Sequence, residues 1–111
     1  MVYDVVASPR TQERLAEAVA YIANELGLRR SAAALLDEFE KKCEALSALP
    51  NGFSIDEEAS ELIGITIRKI YVRSFKLLYH VDEQGGVVHL LTLRFKNADP
   101  ATLASEDLSL N

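Results

Sequence analysis

The sequence predicts an α+β fold in which a helical hairpin packs on one face of an antiparallel sheet. Three observations predict it: a short β-branched first strand, two segments with apolar residues at helical spacing, and a final third that alternates apolar and polar residues. Strands and helices occupy separate parts of the chain, which is typical of the α+β class. The 111 residues suffice for one core, so we expect a single domain at 1–98 and a loose polar tail at 99–111.

The N-terminal half carries the first strand and both helices. Residues 2–7 read VYDVVA, and Ser8 and Pro9 then suit a helix N-cap and first helical position. Gly27 ends the first helix, and the second must stop before Pro50. The short link predicts an antiparallel hairpin. The predicted inward faces are Leu15, Ala18, Val19, Ile22 and Leu26 in the first helix, and Ala32, Leu35, Leu36, Phe39, Cys43 and Leu46 in the second.

The C-terminal half predicts an exposed connection followed by a three-stranded meander. Residues 53–63 have no clear period and carry four acids. Strands follow at about 65–71, 74–82 and 87–96. A three-residue loop at 84–86 pairs Tyr79 with Leu91. It turns His89 and one set of strand residues toward the helices: Phe75, Leu77, Tyr79, Val81, Leu91, Leu93 and Phe95. The opposite set faces outward: Lys76, Leu78, His80, Thr92, Arg94 and Lys96.

The charges divide sharply along the chain. Residues 1–61 hold twelve acids and six bases, and the tail after residue 96 adds three acids. Residues 62–96 instead hold six bases and two acids, although the whole chain is at −5. The meander is therefore a basic block in an acidic protein.

The basic block suggests an anion-binding surface. A tight turn at 72–73 sets Lys69 beside Lys76 on the outward face, with Tyr71 nearby. Adjacent lysines repel each other without a counterion, so we predict that an anion arrives there. The alternative is that the cations only solubilise an exposed sheet face. The predicted nucleic-acid contacts are Arg68, Tyr71, Arg73 and Lys96.

The remaining chemistry is sparse. His80 on the basic face is a candidate general base, whereas His89 is interpreted as a partly buried strand histidine. Two histidines without further ligands at suitable spacing predict no metal site, and no motif predicts a cofactor. Neither a secretory leader nor an apolar run of about 20 residues is visible, so we expect a cytoplasmic protein with no membrane contact.

Several segments resemble RelE/ParE-type toxins of bacterial type II toxin–antitoxin modules, also known as plasmid stabilisation or addiction modules. The similarity covers about residues 2–103. Its clearest parts are the helix "LLDEFE" with the later "LP", and the hairpin "IRKIYVRSFKLLYHVDE". The resemblance implies a helical hairpin on an antiparallel sheet, which agrees with the periodicity.

The resemblance implies two possible activities. RelE-like members cleave mRNA on the ribosome as mRNA interferases, and Lys69 and Lys76 fall at basic positions of that site, with His80 and Arg94 completing our candidate catalytic set. The family's last catalytic arginine falls near Asn97, and no tyrosine follows Tyr79. ParE-like members lack this set and inhibit DNA gyrase without catalysis.

The sequence is therefore compatible with three functions. We expect an mRNA-cleaving toxin, with a gyrase inhibitor and a non-toxic, antitoxin-binding member as the alternatives. All three imply a cognate antitoxin as partner, in a dimer or a toxin–antitoxin hetero-oligomer, and the first two add the ribosome or gyrase as target.

Overall fold

A computed structural model of the chain describes residues 2–110 and confirms the α+β class. The strands are β1 (Asp4–Ala7), β2 (Arg68–Val72), β3 (Phe75–Asp82) and β4 (Val87–Phe95), and the helices are α1 (Pro9–Ala20), α2 (Arg29–Ala48) and α3 (Glu57–Ile63). They form one sheet in the order β1-β4-β3-β2, with β1 parallel to β4 and the other neighbours antiparallel. Across residues 2–110, no helix has both the length and the apolar character needed to cross a bilayer.

The first helix starts as predicted but ends differently. Ser8 Oγ accepts the Thr11 N–H at 3.0 Å, and Pro9 follows as the first helical residue. After Ala20 the helix widens into a π-helical segment, Tyr21–Glu25, in which the Leu26 N–H donates to the Tyr21 carbonyl. The wider turn rotates the following side chains. Leu26, predicted to point inward, is consequently half exposed.

The main core lies between the α1–α2 hairpin and one face of the sheet, here called the helix face. The alternation predicted in β3 is confirmed, since Phe75, Leu77 and Tyr79 are all buried there. Leu36 of α2 was expected inside but is 42% exposed. The buried members of this core are Leu35, Phe39, Leu46, Ile70, Val72, Phe75, Leu77, Tyr79, Val88, Leu90 and Leu93.

A β-bulge in β4 changes the predicted register. Phe75 and Leu77 pair with Phe95 and Leu93 as expected, but Tyr79 pairs with Leu90 instead of Leu91. Leu91 is the extra residue, and it packs on the opposite face of the sheet. The bulge is held from outside the sheet, because Ser8 donates its N–H to the Leu90 carbonyl and its hydroxyl to the Leu91 carbonyl, both at 2.9 Å.

The second face of the sheet is covered, which contradicts two expectations. The predicted exposed connection contains α3, and the predicted loose tail forms short 3₁₀ turns at Pro100–Thr102 and Ser105–Leu108. Asp56 caps α3 by accepting the Ala59 N–H, and Gly64 at φ +75° ends it. Both segments pack on the sheet. The resulting small core contains Ala59, Ile67, Leu78, Leu91 and Leu108, with Ile63 and Leu103 against it.

Candidate functional site

Strand register gathers most of the predicted site residues on the second face of the sheet. Tyr71 lies opposite Lys76, Lys76 lies opposite Arg94, and Lys69 lies opposite Leu78. Residues facing each other across a ladder share one face of the sheet. We call the resulting set the basic face; it comprises Lys69, Tyr71, Lys76, His80 and Arg94.

The two lysines are not side by side, and an internal carboxylate supplies their counterion. The turn lies at 73–74, so Lys69 is diagonal to Lys76 and not opposite it. Lys76 Nζ lies 3.0 Å from Asp56 Oδ2, and the two side chains are only 18% and 9% exposed. The prediction that an arriving anion balances these lysines is therefore wrong for Lys76, which is already neutralised by the residue that caps α3.

Asp56 is held in its charged form. Burial by itself raises the pKa of this carboxyl, but the hydrogen bond from the Ala59 N–H and the contact with Lys76 outweigh burial. The Lys69 charge acts in the same direction with less effect, so the pKa of Asp56 lies below its ordinary value. One carboxylate thus serves a helix cap and a buried ion pair together.

Arg94 is engaged by the C-terminal segment. Its guanidinium donates to the Asp99 carbonyl at 3.0 Å and to Thr102 Oγ1 at 2.6 Å. Both acceptors belong to the segment that carries Leu103 and Leu108 onto the sheet. Arg94 therefore fastens the C-terminal segment to the basic face.

The two histidines are neighbours, which corrects the predicted orientation of His89. His80 lies opposite His89 in the ladder, because the bulge at Leu91 shifts the first half of β4, residues 87–90, by one residue from the predicted register. His80 Nδ1 is 2.9 Å from the Thr66 carbonyl. A carbonyl only accepts, so His80 Nδ1 is the donor in this hydrogen bond.

The other predicted nucleic-acid contacts lie away from this cluster. Arg68 lies opposite Tyr79, on the helix face, and donates to the Phe53 carbonyl at 2.6 Å. Arg73 lies in the β2–β3 turn and Lys96 lies beyond β4, and both are exposed. The structure thus gathers five of the eight predicted site residues on the basic face and places the other three elsewhere.

The sequence interpretation missed four charged residues. Asp56 could have been found, since an Asp followed by two glutamates is typical of a helix start. Asp107 lies 3.6 Å from Arg10 and 3.9 Å from Arg14, so it ties the C-terminal segment to α1. No sequence signal indicates the ion pairs of Asp107 with Arg10 and Arg14, because their partners are distant along the chain.

These contacts limit what the basic face can do chemically. A nuclease site needs cations free to receive phosphate and a base near the hydroxyl that it activates. Here Lys76 and Arg94 already have intramolecular partners. Among residues 2–110, no three His, Cys, Asp or Glu side chains come together in a way that could hold a metal ion. The arrangement favours a structural role for these cations.

Comparison with protein families gives one match across most of the chain. A family model described as the ParE toxin of the type II toxin–antitoxin system parDE matches residues 5–97. None of the proteins with a curated function matches the chain in sequence.

Comparison with solved structures gives the same type of fold. The crystal structure of the RelBE2 toxin–antitoxin complex from Mycobacterium tuberculosis contains a chain similar to this one, with a TM-score of 0.57. The alignment covers 86% of this chain and all of that chain, at 18% sequence identity. At this identity the likeness concerns the fold alone.

Proposed function

Since the chain belongs to the ParE toxin family of type II toxin–antitoxin systems, we propose that it stops growth by binding DNA gyrase, without catalysis by its own side chains. The target follows from the resemblance of the sequence to ParE-like toxins. The absence of catalysis is supported by the geometry of the basic face.

One observation carries the proposal: Lys76 forms a largely buried ion pair with Asp56, the N-cap residue of α3. Removing one partner of a buried pair leaves the other charge uncompensated. Binding of Lys76 to a substrate phosphate would therefore cost free energy, because Asp56 would lose its partner. Arg94 is similarly occupied by Asp99 and Thr102. A toxin whose cations hold its own fold together acts more readily through its surface than through phosphate chemistry.

The proposal includes an antitoxin as the partner of this chain. Toxins of type II modules are held inactive by a protein antitoxin, and the similar RelBE2 structure is that of a toxin–antitoxin complex. Co-expression with the adjacent open reading frame should yield a complex that purifies as one species. A toxin that elutes alone would contradict this part of the proposal.

The gyrase proposal is tested with purified protein in a supercoiling assay. We expect the wild-type chain to block supercoiling by gyrase, and adding antitoxin to restore it. Normal supercoiling in the presence of a large excess of a folded chain would refute the proposal. Expression without antitoxin should also halt growth; growth that continues normally would instead favour the non-toxic, antitoxin-binding alternative.

The alternative is ribosome-dependent mRNA cleavage, favoured by the shared face of Lys69, Lys76 and Arg94. The variant Lys69→Ala separates the two activities, because it removes a cation from this face and leaves the buried Lys76–Asp56 pair intact. A gyrase inhibitor should keep its toxicity in this variant, with unchanged mRNA. If toxicity disappears and the wild type cuts mRNA within codons, the chain is a nuclease.

A further inference from the structure

Half of the basic side chains have no ion pair or hydrogen bond with any of residues 2–110. The lysines and arginines that do have such a contact are Arg10, Arg14, Lys41, Arg68, Lys76 and Arg94. Those whose side chains have neither contact in the described part of the chain are Arg29, Arg30, Lys42, Lys69, Arg73 and Lys96. Cations that the fold leaves unpaired are available to an external anion.

Three of the unpaired cations meet where the helical hairpin approaches the β2–β3 turn. Arg29 and Arg30 are the first two residues of α2. Leu28 and Ser31, which flank them in the chain, line a cavity of about 260 Å³ together with Arg73 of the turn. The start of α2 and the β2–β3 turn are therefore neighbours, although they are more than 40 positions apart in the sequence.

Lys96 adds a fourth cation to the same end of the molecule. Its N–H donates to the Ser74 carbonyl at 2.9 Å, which places Lys96 next to the turn that holds Arg73. We call the four exposed cations of this end the basic tip: Arg29, Arg30, Arg73 and Lys96. Glu38 also reaches this end, but its carboxylate accepts the backbone N–H of Arg73 and pairs with none of the four charged groups within residues 2–110.

Three of these cations occupy positions that cost the fold stability. The N-terminus of a helix carries a partial positive charge, so Arg29 and Arg30 in the first turn of α2 are electrostatically unfavourable there. Arg73 has a φ of +54°, the only positive value of a non-glycine residue between positions 2 and 110. A glycine would adopt this conformation at lower cost. Arginines at positions that suit other residues better indicate a role outside the fold.

We propose that the basic tip binds the phosphate backbone of duplex DNA. The planar guanidinium of arginine matches the geometry of phosphate oxygens, and unpaired cations on one surface are what backbone binding requires. Contacts of this kind hold DNA without reading its sequence. This inference rests on the proposed function, because gyrase acts on duplex DNA, and it adds a direct contact between the toxin and the DNA that gyrase holds.

The charge distribution determines which end of the protein faces DNA. Without the four cations of the basic tip, the net charge of −5 becomes −9. The rest of the chain is therefore repelled by phosphates, whereas the basic tip is attracted to them. This polarity orients the toxin on DNA and keeps its affinity for free DNA low.

Fluorescence anisotropy of a short labelled DNA duplex tests the proposal through its salt dependence. If all four cations contact phosphates, the wild type should lose affinity about 150-fold between about 50 and 200 mM salt. Arg29→Ala with Arg30→Ala leaves two contacts and should lose only about 12-fold over the same range. The matched control, Lys41→Ala with Lys42→Ala, removes two adjacent cations from a later part of the same helix and should behave as the wild type.

Two results of this titration would overturn the proposal. One is the same salt dependence for the wild type and for Arg29→Ala with Arg30→Ala. The other is a wild type that does not bind the duplex at the lower salt concentration. Misfolding does not confuse the comparison, because alanine favours a helix and the substitutions remove cations from its positive end, so urea titration should show equal or higher stability.

Arg73→Gly tests the turn separately. Glycine relieves the positive φ, so the thermal midpoint should rise or stay constant. The loss of one phosphate contact should reduce the salt effect from about 150-fold to about 40-fold. A salt effect equal to that of the wild type would overturn the assignment of Arg73 to the DNA contact.

Further assays separate this proposal from its alternatives. In the supercoiling assay, Arg29→Ala with Arg30→Ala should inhibit gyrase less than the wild type does; equal inhibition would overturn the contact with gyrase-bound DNA. If the same variant binds DNA normally but binds antitoxin more weakly, the basic tip receives an acidic protein segment and the proposal fails. A wild type that binds DNA as expected while supercoiling stays normal would refute only the gyrase proposal.

Discussion

The two faces of the sheet are stabilised in different ways. On the helix face, α2 and three of the four strands contribute eleven buried residues to one cluster among residues 2–110. On the second face, where a seven-residue helix and 3₁₀ turns cover the sheet, the described residues include only five in the buried cluster, and the Lys76–Asp56 pair lies on the same face. An isolated helix of this length is unstable in water, so α3 depends on its cap and on its contacts with the sheet.

This difference explains why charged contacts cover part of the basic face, while Tyr71 stays half exposed. The helix face is held by apolar packing that needs no particular charge. The second face buries less apolar area, and ion pairs add to its stability. Asp56, at the start of α3, pairs with Lys76 of the sheet. Asp107, in the C-terminal segment, pairs with Arg10 and Arg14 of α1. Cations that a sequence pattern associates with a substrate can thus instead hold the protein's own α3 and C-terminal segment in place.

The largest expected effect on stability comes from truncating a buried leucine, and we compare one leucine from each face of the sheet. Leu35→Ala, in the main core, should lower the free energy of unfolding by about 3–5 kcal/mol, because the surrounding helices and sheet cannot close the cavity. Leu108→Ala should cost about 2 kcal/mol, since the C-terminal 3₁₀ turn can shift to fill the space. Urea titrations of both variants measure this, and equal losses would show that the two faces are equally rigid.

A smaller effect tests the double role of Asp56. Asp56→Ala removes the α3 cap and leaves Lys76 unpaired, which should cost about 2–4 kcal/mol. Asp56→Asn keeps an oxygen for the Ala59 N–H and should lose about half as much. The control is Asp37→Ala, which breaks an exposed pair with Lys41 and should not change stability measurably. If urea titration gives Asp56→Ala the same free energy of unfolding as this control, α3 is held by apolar contacts alone.

The smallest expected effect is the dependence on pH. The pKa of Asp56 is lower in the folded chain than in the unfolded chain, so its stabilising contribution is complete above the unfolded value of about 4. This contribution is lost as the pH falls through the pKa that Asp56 has in the folded chain. The wild type should therefore lose more stability than Asp56→Asn between about pH 5 and pH 2. Parallel stability curves for the two proteins would contradict this assignment.

Regular periodicity made the helix face predictable. Phe75, Leu77 and Tyr79 were placed correctly because strand side chains alternate strictly. The same alternation placed Lys69, Lys76 and His80 together on the other face, although their functional roles are still predictions. The local sequence pattern therefore predicted the face on which a side chain lies wherever a strand or helix is long and regular.

The rest depends on contacts between distant parts of the chain. The bulge at Leu91 made the predicted register wrong for residues 87–90, because Ser8, 83 positions before Leu91, holds the bulge in place. The pairing of Asp56 with Lys76 spans 20 positions. Leu26 escaped prediction for a different reason, since a π-helical turn breaks the 3.6-residue period within a single helix.

The position of β4 has a consequence for how the chain acquires its structure during synthesis. β4 is the last strand to leave the ribosome, yet it lies between β1 and β3 in the sheet. Until it emerges, β1 has no neighbouring strand, and the β2–β3 hairpin lacks the strand that joins it to the N-terminus. Such non-local pairing is slow to form. A nascent chain that stops short of residue 87 therefore has helices and a hairpin but no complete sheet, and the complete fold should form only after residue 95 has been made.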